Sequence, residues 1–217
     1  MGKVPLYPVN LQISNRSCVV VGGGSVAERK VLALLAAGAC VTVVSPEVTP
    51  KLAEWIQEKK VIHMTRTYAE GDVAGFFIVI CATNNGVVNK LIATAASKAG
   101  ALVNVVDAPE FGNFNVPSQI THGDLLITIS TGGKSPAFAR RLGAELALRY
   151  GPEYGTYLDL LAAARSKMKK NMQSAKERED FWRQTIDQEV INLLKDGKIK
   201  EAEAKINNAI GCFRAQS

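Results

Sequence analysis

Three short stretches of the sequence combine residue types and spacings that can do chemistry. The first, VVVGGGSVAERK at residues 19–30, breaks a run of valines into three glycines and then into a helical pattern. Gly22, Gly24 and Ala27 fit the spacing G-x-G-x-x-G/A. There the first glycine permits a tight turn, the second lets backbone approach a pyrophosphate, and a small third residue lets helix pack on strand. The phosphates then lie on the helix N-terminus, although a plain strand-to-helix turn has the same composition. No G-K-[ST] follows the glycines, which excludes a Walker-type ATP loop. The second stretch, CATNN at 81–85, puts Thr83 and Asn84 after an apolar run, where they can touch ribose or nicotinamide or else cap the next helix. The third, VNVVD, ends in Asp107 before Ala108-Pro109. A lone carboxylate at the end of this valine-rich run is a candidate general base, with an Asx-turn or a helix cap as the structural alternative.

An acidic residue is expected at the tip of the second strand, to bond the adenosine ribose. VVSPE departs from the usual form, with Ser45 at the tip and Glu47 two residues later. Glu47 can reach the ribose hydroxyls and no arginine lies close by to hold a 2′-phosphate, so the pattern favours NAD over NADP.

These stretches need elements to position them. The pattern predicts strands over 11–21, 40–44, 61–67, 75–83 and 101–107 and helices over 26–37, 48–59 and 85–99. Strands alternating with helices imply a Rossmann-like α/β domain with a parallel sheet covered on both faces. The alternation stops after Asp107. FNVPSQI and DLLITIST, joined by Thr121-His122-Gly123-Asp124, read as a hairpin, and from Ser135-Pro136 the chain reads as helical, with breaks near Gly151-Pro152 and Gly197. Three parts follow: 1–112, 113–150 and 151–217.

Composition sets the bounds. The chain has 217 residues, 47% hydrophobic and 21% charged, and reads as globular. Its net charge of +6 is uneven, because residues 134–217 hold 16 Lys and Arg against 11 Asp and Glu. That region suits a polyanionic partner or a solvated helical surface. No signal-peptide pattern opens the sequence and no apolar run is long enough to span a bilayer, so a cytoplasmic protein without a membrane partner is expected. Cys18, Cys40, Cys81 and Cys212 are scattered and only His63 and His122 accompany them, which predicts buried reduced thiols and no metal site. No helix-turn-helix pattern precedes the glycine loop, and no nucleic-acid partner is expected.

Taken together, VGGGSVAERK, CATNN, NVVDAPEFGNFNVPSQI and ISTGGKSPAFARRL, in that order and spacing, resemble the siroheme synthase family in its stand-alone precorrin-2 dehydrogenase form, over residues 4–200. The resemblance implies an NAD-binding Rossmann domain, a small β dimerisation segment and a C-terminal α-helical domain, assembled as a homodimer. It implies oxidation of precorrin-2 to sirohydrochlorin with NAD, and in some members insertion of Fe²⁺, which the sequence leaves open. Asp107 falls on the family's catalytic aspartate, and Ser25, Val26, Pro46 and Glu47 fall on its NAD contacts. A tetrapyrrole with eight carboxylate arms also gives the basic region a partner. Lys134 and Arg140 are candidates to hold those arms, and Ser130, Thr131, Gly132 and Gly133 either offer backbone N–H groups to one or form a plain turn and cap. With no methyltransferase domain after Ser217, the substrate is expected from a separate methyltransferase. Two rivals are an NAD-sensing module without catalysis, which gives no reason for the FNVPS and STGGKSP segments, and a redox-sensing DNA binder.

Overall fold

Valine-rich segments flanked by glycines fix the first half of the chain. In the computed structural model, which describes residues 5–171, 182 and 188–216, β1 (Ser17–Val21), β2 (Cys40–Val44), β3 (Val61–Met64), β4 (Ile78–Cys81) and β5 (Leu102–Val105) form one parallel sheet. The strand order is β3-β2-β1-β4-β5. Helices α1 (Ser25–Ala36), α2 (Pro50–Gln57) and α3 (Gly86–Lys98) supply crossovers. Because both faces are covered, the inner strands read as unbroken apolar runs such as CVVV and IVIC, all buried. Alternate residues serve opposite layers: Cys18, Val20, Val41 and Val43 pack with Ala27, Val31 and Leu34 of α1, while Val19, Val21, Val79 and Val103 pack with Ile92, Ala93 and Ala96 of α3.

The strands are shorter than the apolar runs suggest. Residues 11–16 form an irregular segment and a turn, and 65–77 leave β3 as a loop that packs Tyr68, Val73 and Phe76 on the sheet. Hydrophobicity marks what is buried, and in these loops Ile13 and Val73 are buried by packing on the sheet rather than by pairing into it. The free edge of β5 is closed by side-chain chemistry. Asn113 Oδ1 accepts from Val103 N at 2.7 Å and its Nδ2 donates to Ala101 O at 3.0 Å, so one amide mimics a strand partner.

The chain divides at Val116–Pro117, and both boundaries expected at 112/113 and 150/151 differ from that division. In the second unit β6 (Ser118–His122) pairs antiparallel with β7 (Leu125–Ile129) through Gly123, whose φ of +57° suits the two-residue turn. Helix α4 (Pro136–Arg149) lies on this hairpin through Ala139 and Gly143, where a Cβ on Gly143 would stand 3.2 Å from Ser118 Oγ. Helices α5 (Glu153–Asn171), α6 (Gln188–Lys195) and α7 (Ile199–Gln216) share a core of Tyr157, Met168, Ile191 and Ile206.

Candidate functional site

The parallel register brings the ends of five strands level. Val21 pairs with both Val44 and Cys81, Val44 with Met64, and Cys81 with Val105, so the loops that follow leave from one edge of the sheet. The strand order changes direction between β1 and β4, with β2 and β3 to one side of β1 and β4 and β5 to the other. Ligands of open α/β sheets bind outside the carboxyl ends of the strands at such a reversal.

The glycine loop occupies that point. Gly22 has φ +125°, and a Cβ there would run into the Ala82 carbonyl. Gly22 N donates to Val44 O at 2.9 Å, and Thr49 N donates to Gly23 O at 3.0 Å, tying the loop to the next crossover. Gly24 ends the loop as the N-cap of α1, with no neighbouring atom within 4 Å of where its Cβ would stand. No side chain caps α1, and the N–H groups of Ser25 and Val26 have no acceptor among the described residues. An uncapped helix start carries partial positive charge and orphan donors, which suits a pyrophosphate. Ala27 is fully buried, so helix and strand close tightly behind the loop.

Sequence spacing passed over Gly23. A Cβ there would collide with the Glu47 carbonyl, and that same carbonyl accepts from Ser45 Oγ at 2.7 Å. The loop after β1 and the loop carrying Pro46 and Glu47 therefore touch backbone to backbone. Both Pro46 and Glu47 are exposed. Thr49 adds a second link, accepting from Leu52 N at 3.3 Å as the cap of α2 while donating to Glu28 Oε2 at 2.5 Å. The middle glycine of GGG and the Thr-Pro pair at 49–50 were the available signals.

Thr83 and Asn84 follow β4 at the same edge, and their environments differ. The Thr83 hydroxyl is 2.6 Å from Asn89 Oδ1 and accepts from Asn85 N at 3.2 Å, so much of its hydrogen-bonding capacity is used internally. Asn85 caps α3 through bonds from Val87 N and Val88 N. Asn84 is exposed and makes no such bond among the described residues. Buried Asn89 is a further support, since its Nδ2 donates to Thr83 O at 3.0 Å.

Asp107 lies two residues beyond β5, in the bend before the short 3-10 turn Pro109–Phe111. It is exposed, and its carboxylate takes no hydrogen bond or ion pair among the described residues. The loop is fastened on either side by Val106 N donating to Cys81 O at 3.1 Å and by the Asn113 clamp. The Asx-turn and cap alternatives thus find no bond, and the carboxylate stands available for a proton.

The buried thiols of the sheet are inert. Burial pushes Cys81 up to about 12 and Cys18 up to about 11, far from thiolate at neutral pH. Cys40 corrects the expectation of uniformly buried cysteines, because as the first residue of β2 it is exposed. The Cys212 side chain lies outside the described residues. No cluster of three or more metal-ligating side chains occurs among the described residues.

The remaining candidates belong to the second unit. Gly132 and Gly133 have φ +60° and +78°. Gly132 N donates to Ser130 Oγ at 3.2 Å, Ser135 N donates to Thr131 Oγ1 at 3.1 Å, and Ser135 Oγ caps α4 by accepting from Phe138 N at 3.2 Å. Lys134 and Arg140 are exposed without an ion pair among the described residues, whereas Arg141 pairs with Glu145 and Arg149 stacks over Tyr150.

A glycine loop at the reversal of a β3-β2-β1-β4-β5 parallel sheet, opening onto an uncapped helix, defines a Rossmann-type NAD(P)-binding protein. Residues 9–118 match the family model described as putative NAD(P)-binding, and residues 153–210 match the sirohaem synthase dimerisation region. A siroheme synthase of Nitrosococcus oceani is 33% identical over 203 residues, covering 94% of this chain and 43% of the relative. Another, from Methylobacillus flagellatus, is 37% identical over 175 residues, covering 81% and 38%. The solved structure of SirC, a precorrin-2 dehydrogenase, superimposes with a TM-score of 0.78 at 30% identity, covering 94% of this chain and all of that one. The chain belongs to the siroheme synthase family, and it spans less than half the length of the curated relatives it matches. No helix among the described residues is long and apolar enough to cross a membrane.

Proposed function

We propose that this protein oxidises precorrin-2 to sirohydrochlorin with NAD, in the cytoplasm and as a homodimer. The observation that carries the reading is one sheet edge holding both an uncapped helix start and an unpaired carboxylate. The α1 N-terminus would hold the pyrophosphate through Ser25 and Val26, with Gly24 leaving it room. Glu47 would take the adenosine ribose, and Asn84, with the chain around Thr83, would line the path toward the nicotinamide. Bound NAD supplies the hydride acceptor. Aromatising the macrocycle removes one hydride and one proton, and Asp107 takes the proton onto its carboxylate. Lys134 and Arg140, and N–H groups of the Ser130–Gly133 turn left over from its internal bonds, are assigned to the carboxylate arms of the substrate. Dimerisation is assigned to the second unit, which carries the family's dimerisation match at 153–210.

The test is anaerobic incubation with precorrin-2 and NAD, following NADH and sirohydrochlorin by absorbance. Asp107→Asn is expected to leave NAD affinity within about twofold and to slow turnover by roughly 10²- to 10⁴-fold, the usual contribution of a general base. Wild-type turnover in that variant removes Asp107 from the mechanism, and no turnover by the wild type leaves an NAD-sensing module as the reading. Subsequent addition of Fe²⁺ separates a dehydrogenase, whose sirohydrochlorin persists, from a protein that also inserts metal.

A further inference from the structure

The adenosine end of a Rossmann site lies at the tip of β2, and the loop after β3 is its neighbour. Ser45 N donates to Met64 O at 3.2 Å, and His63 Nε2 lies 2.9 Å from Ser45 O, so the two loops leave the sheet bonded together. Arg66 stands two residues beyond β3. In the segments that follow β1 to β4, at 22–24, 45–49, 65–77 and 82–85, it is the single Lys or Arg. Adjacent strands run about 4.8 Å apart, so an arginine at the tip of β3 is within side-chain reach of the tip of β2.

That guanidinium is already committed. Nη1 and Nη2 each donate to an oxygen of Asp72 at 2.6 Å, Nη1 also donates to Thr67 O at 3.2 Å, and Nη2 lies 3.6 Å from Met64 Sδ. Asp72 is held in turn by Ala69 N, which donates to it at 2.7 Å, and only 8% of its side-chain surface is exposed. A bidentate pair with one partner anchored is far better defined than an ordinary surface ion pair.

NAD and NADP differ by a phosphate on the adenosine ribose, which binding proteins meet with an arginine, whereas the free hydroxyls are met by a carboxylate. We propose that Asp72 is a specificity-determining residue: by holding both arms of Arg66 it withholds the cation that would meet a 2′-phosphate and leaves Glu47 to select NAD. This rests on the NAD reading above. It also explains how an arginine can sit beside the adenosine end without producing an NADP enzyme.

The experiment is titration of the full chain with NAD⁺ and NADP⁺ by calorimetry, for the wild type, Arg66→Ala, Asp72→Asn and the double variant. Wild type and Arg66→Ala are expected to bind NAD⁺ alike. Asp72→Asn is expected to improve NADP⁺ affinity relative to NAD⁺ by roughly fivefold to tenfold, a gain that disappears in the double variant and fades with added salt. Should Asp72→Asn fail to fold, Asp72→Ser, whose hydroxyl can still accept from Ala69 N, is read in the same way. An unchanged NADP⁺/NAD⁺ ratio in a folded Asp72 variant, or a gain that survives removal of Arg66, overturns this proposal alone. A wild-type chain that prefers NADP⁺, or binds neither dinucleotide, overturns the NAD reading and this proposal with it.

Discussion

The molecule has two glycine turns of nearly the same composition, each leading into a helix: Val21-Gly-Gly-Gly-Ser25 before α1 and Thr131-Gly-Gly-Lys-Ser135 before α4. They resolve the same problem in opposite ways. Before α4 the turn satisfies itself, since Ser130 and Thr131 accept from Gly132 N and Ser135 N, and Ser135 caps the helix. Before α1 the turn is held from outside, by Val44 O and Thr49 N, and the first donors of the helix are left open. A helix start can serve a ligand only where the chain declines to cap it. By that measure the first turn leaves donors open to an anionic ligand, while the second offers fewer free donors and stands beside the exposed charges of Lys134 and Arg140.

The largest expected effect comes from breaking the support of the first turn. Gly23→Ala drives a Cβ into the Glu47 carbonyl, where neither backbone can retreat without losing the Ser45 bond. The melting free energy is expected to fall by about 3 kcal/mol, the upper end for a single substitution, and NAD affinity by roughly 100-fold. Thermal unfolding and calorimetric titration check the two values. A Gly23→Ala protein that melts and binds like the wild type would mean that the two loops separate freely.

Gly24→Ser probes the comparison more finely. The residue has φ −82°, ordinary for any side chain, and open space around it, so the variant should fold. Its hydroxyl would cap α1 as Ser135 caps α4, raising helix stability by a few tenths of a kcal/mol relative to glycine. The same hydroxyl would occupy donors meant for the pyrophosphate, and NAD affinity is expected to drop about tenfold while the melting temperature holds. Equal affinity in the two proteins would show that the open donors of α1 are not what binds the coenzyme.

Much of this contrast could be read before any coordinates were known, and the unread part has a physical cause. The valine runs, the glycine spacing and the alternation of strand and helix identify the parallel sheet, because burial on both faces leaves continuous apolar stretches. Asp107 was visible as a carboxylate after an apolar run, although it stands two residues past the strand end. What stayed hidden were side chains that act across sequence distance. Asn113 clamps Ala101 and Val103 from twelve and ten residues away, and Arg66 becomes a neighbour of the β2 tip only through the pairing of β2 with β3. An arginine near the adenosine end was therefore missed, since a search along the sequence from Glu47 does not follow the strand register.

The smallest effect belongs to the second turn. Ser135→Ala removes the bond from Phe138 N, and because Pro136 has no N–H to lose, the change falls on that one donor. The expected loss is about 1 kcal/mol, the usual value for an N-cap, with NAD affinity unchanged. Precorrin-2 binding by the Ser135→Ala protein sharpens the contrast further. If the substrate's carboxylates are held mainly by Lys134 and Arg140, the KM is expected to stay within about twofold and to rise only when those cations are removed. If the KM instead falls, the freed Phe138 N–H is donating to a carboxylate, and the second turn differs from the first only in the cap that closes it.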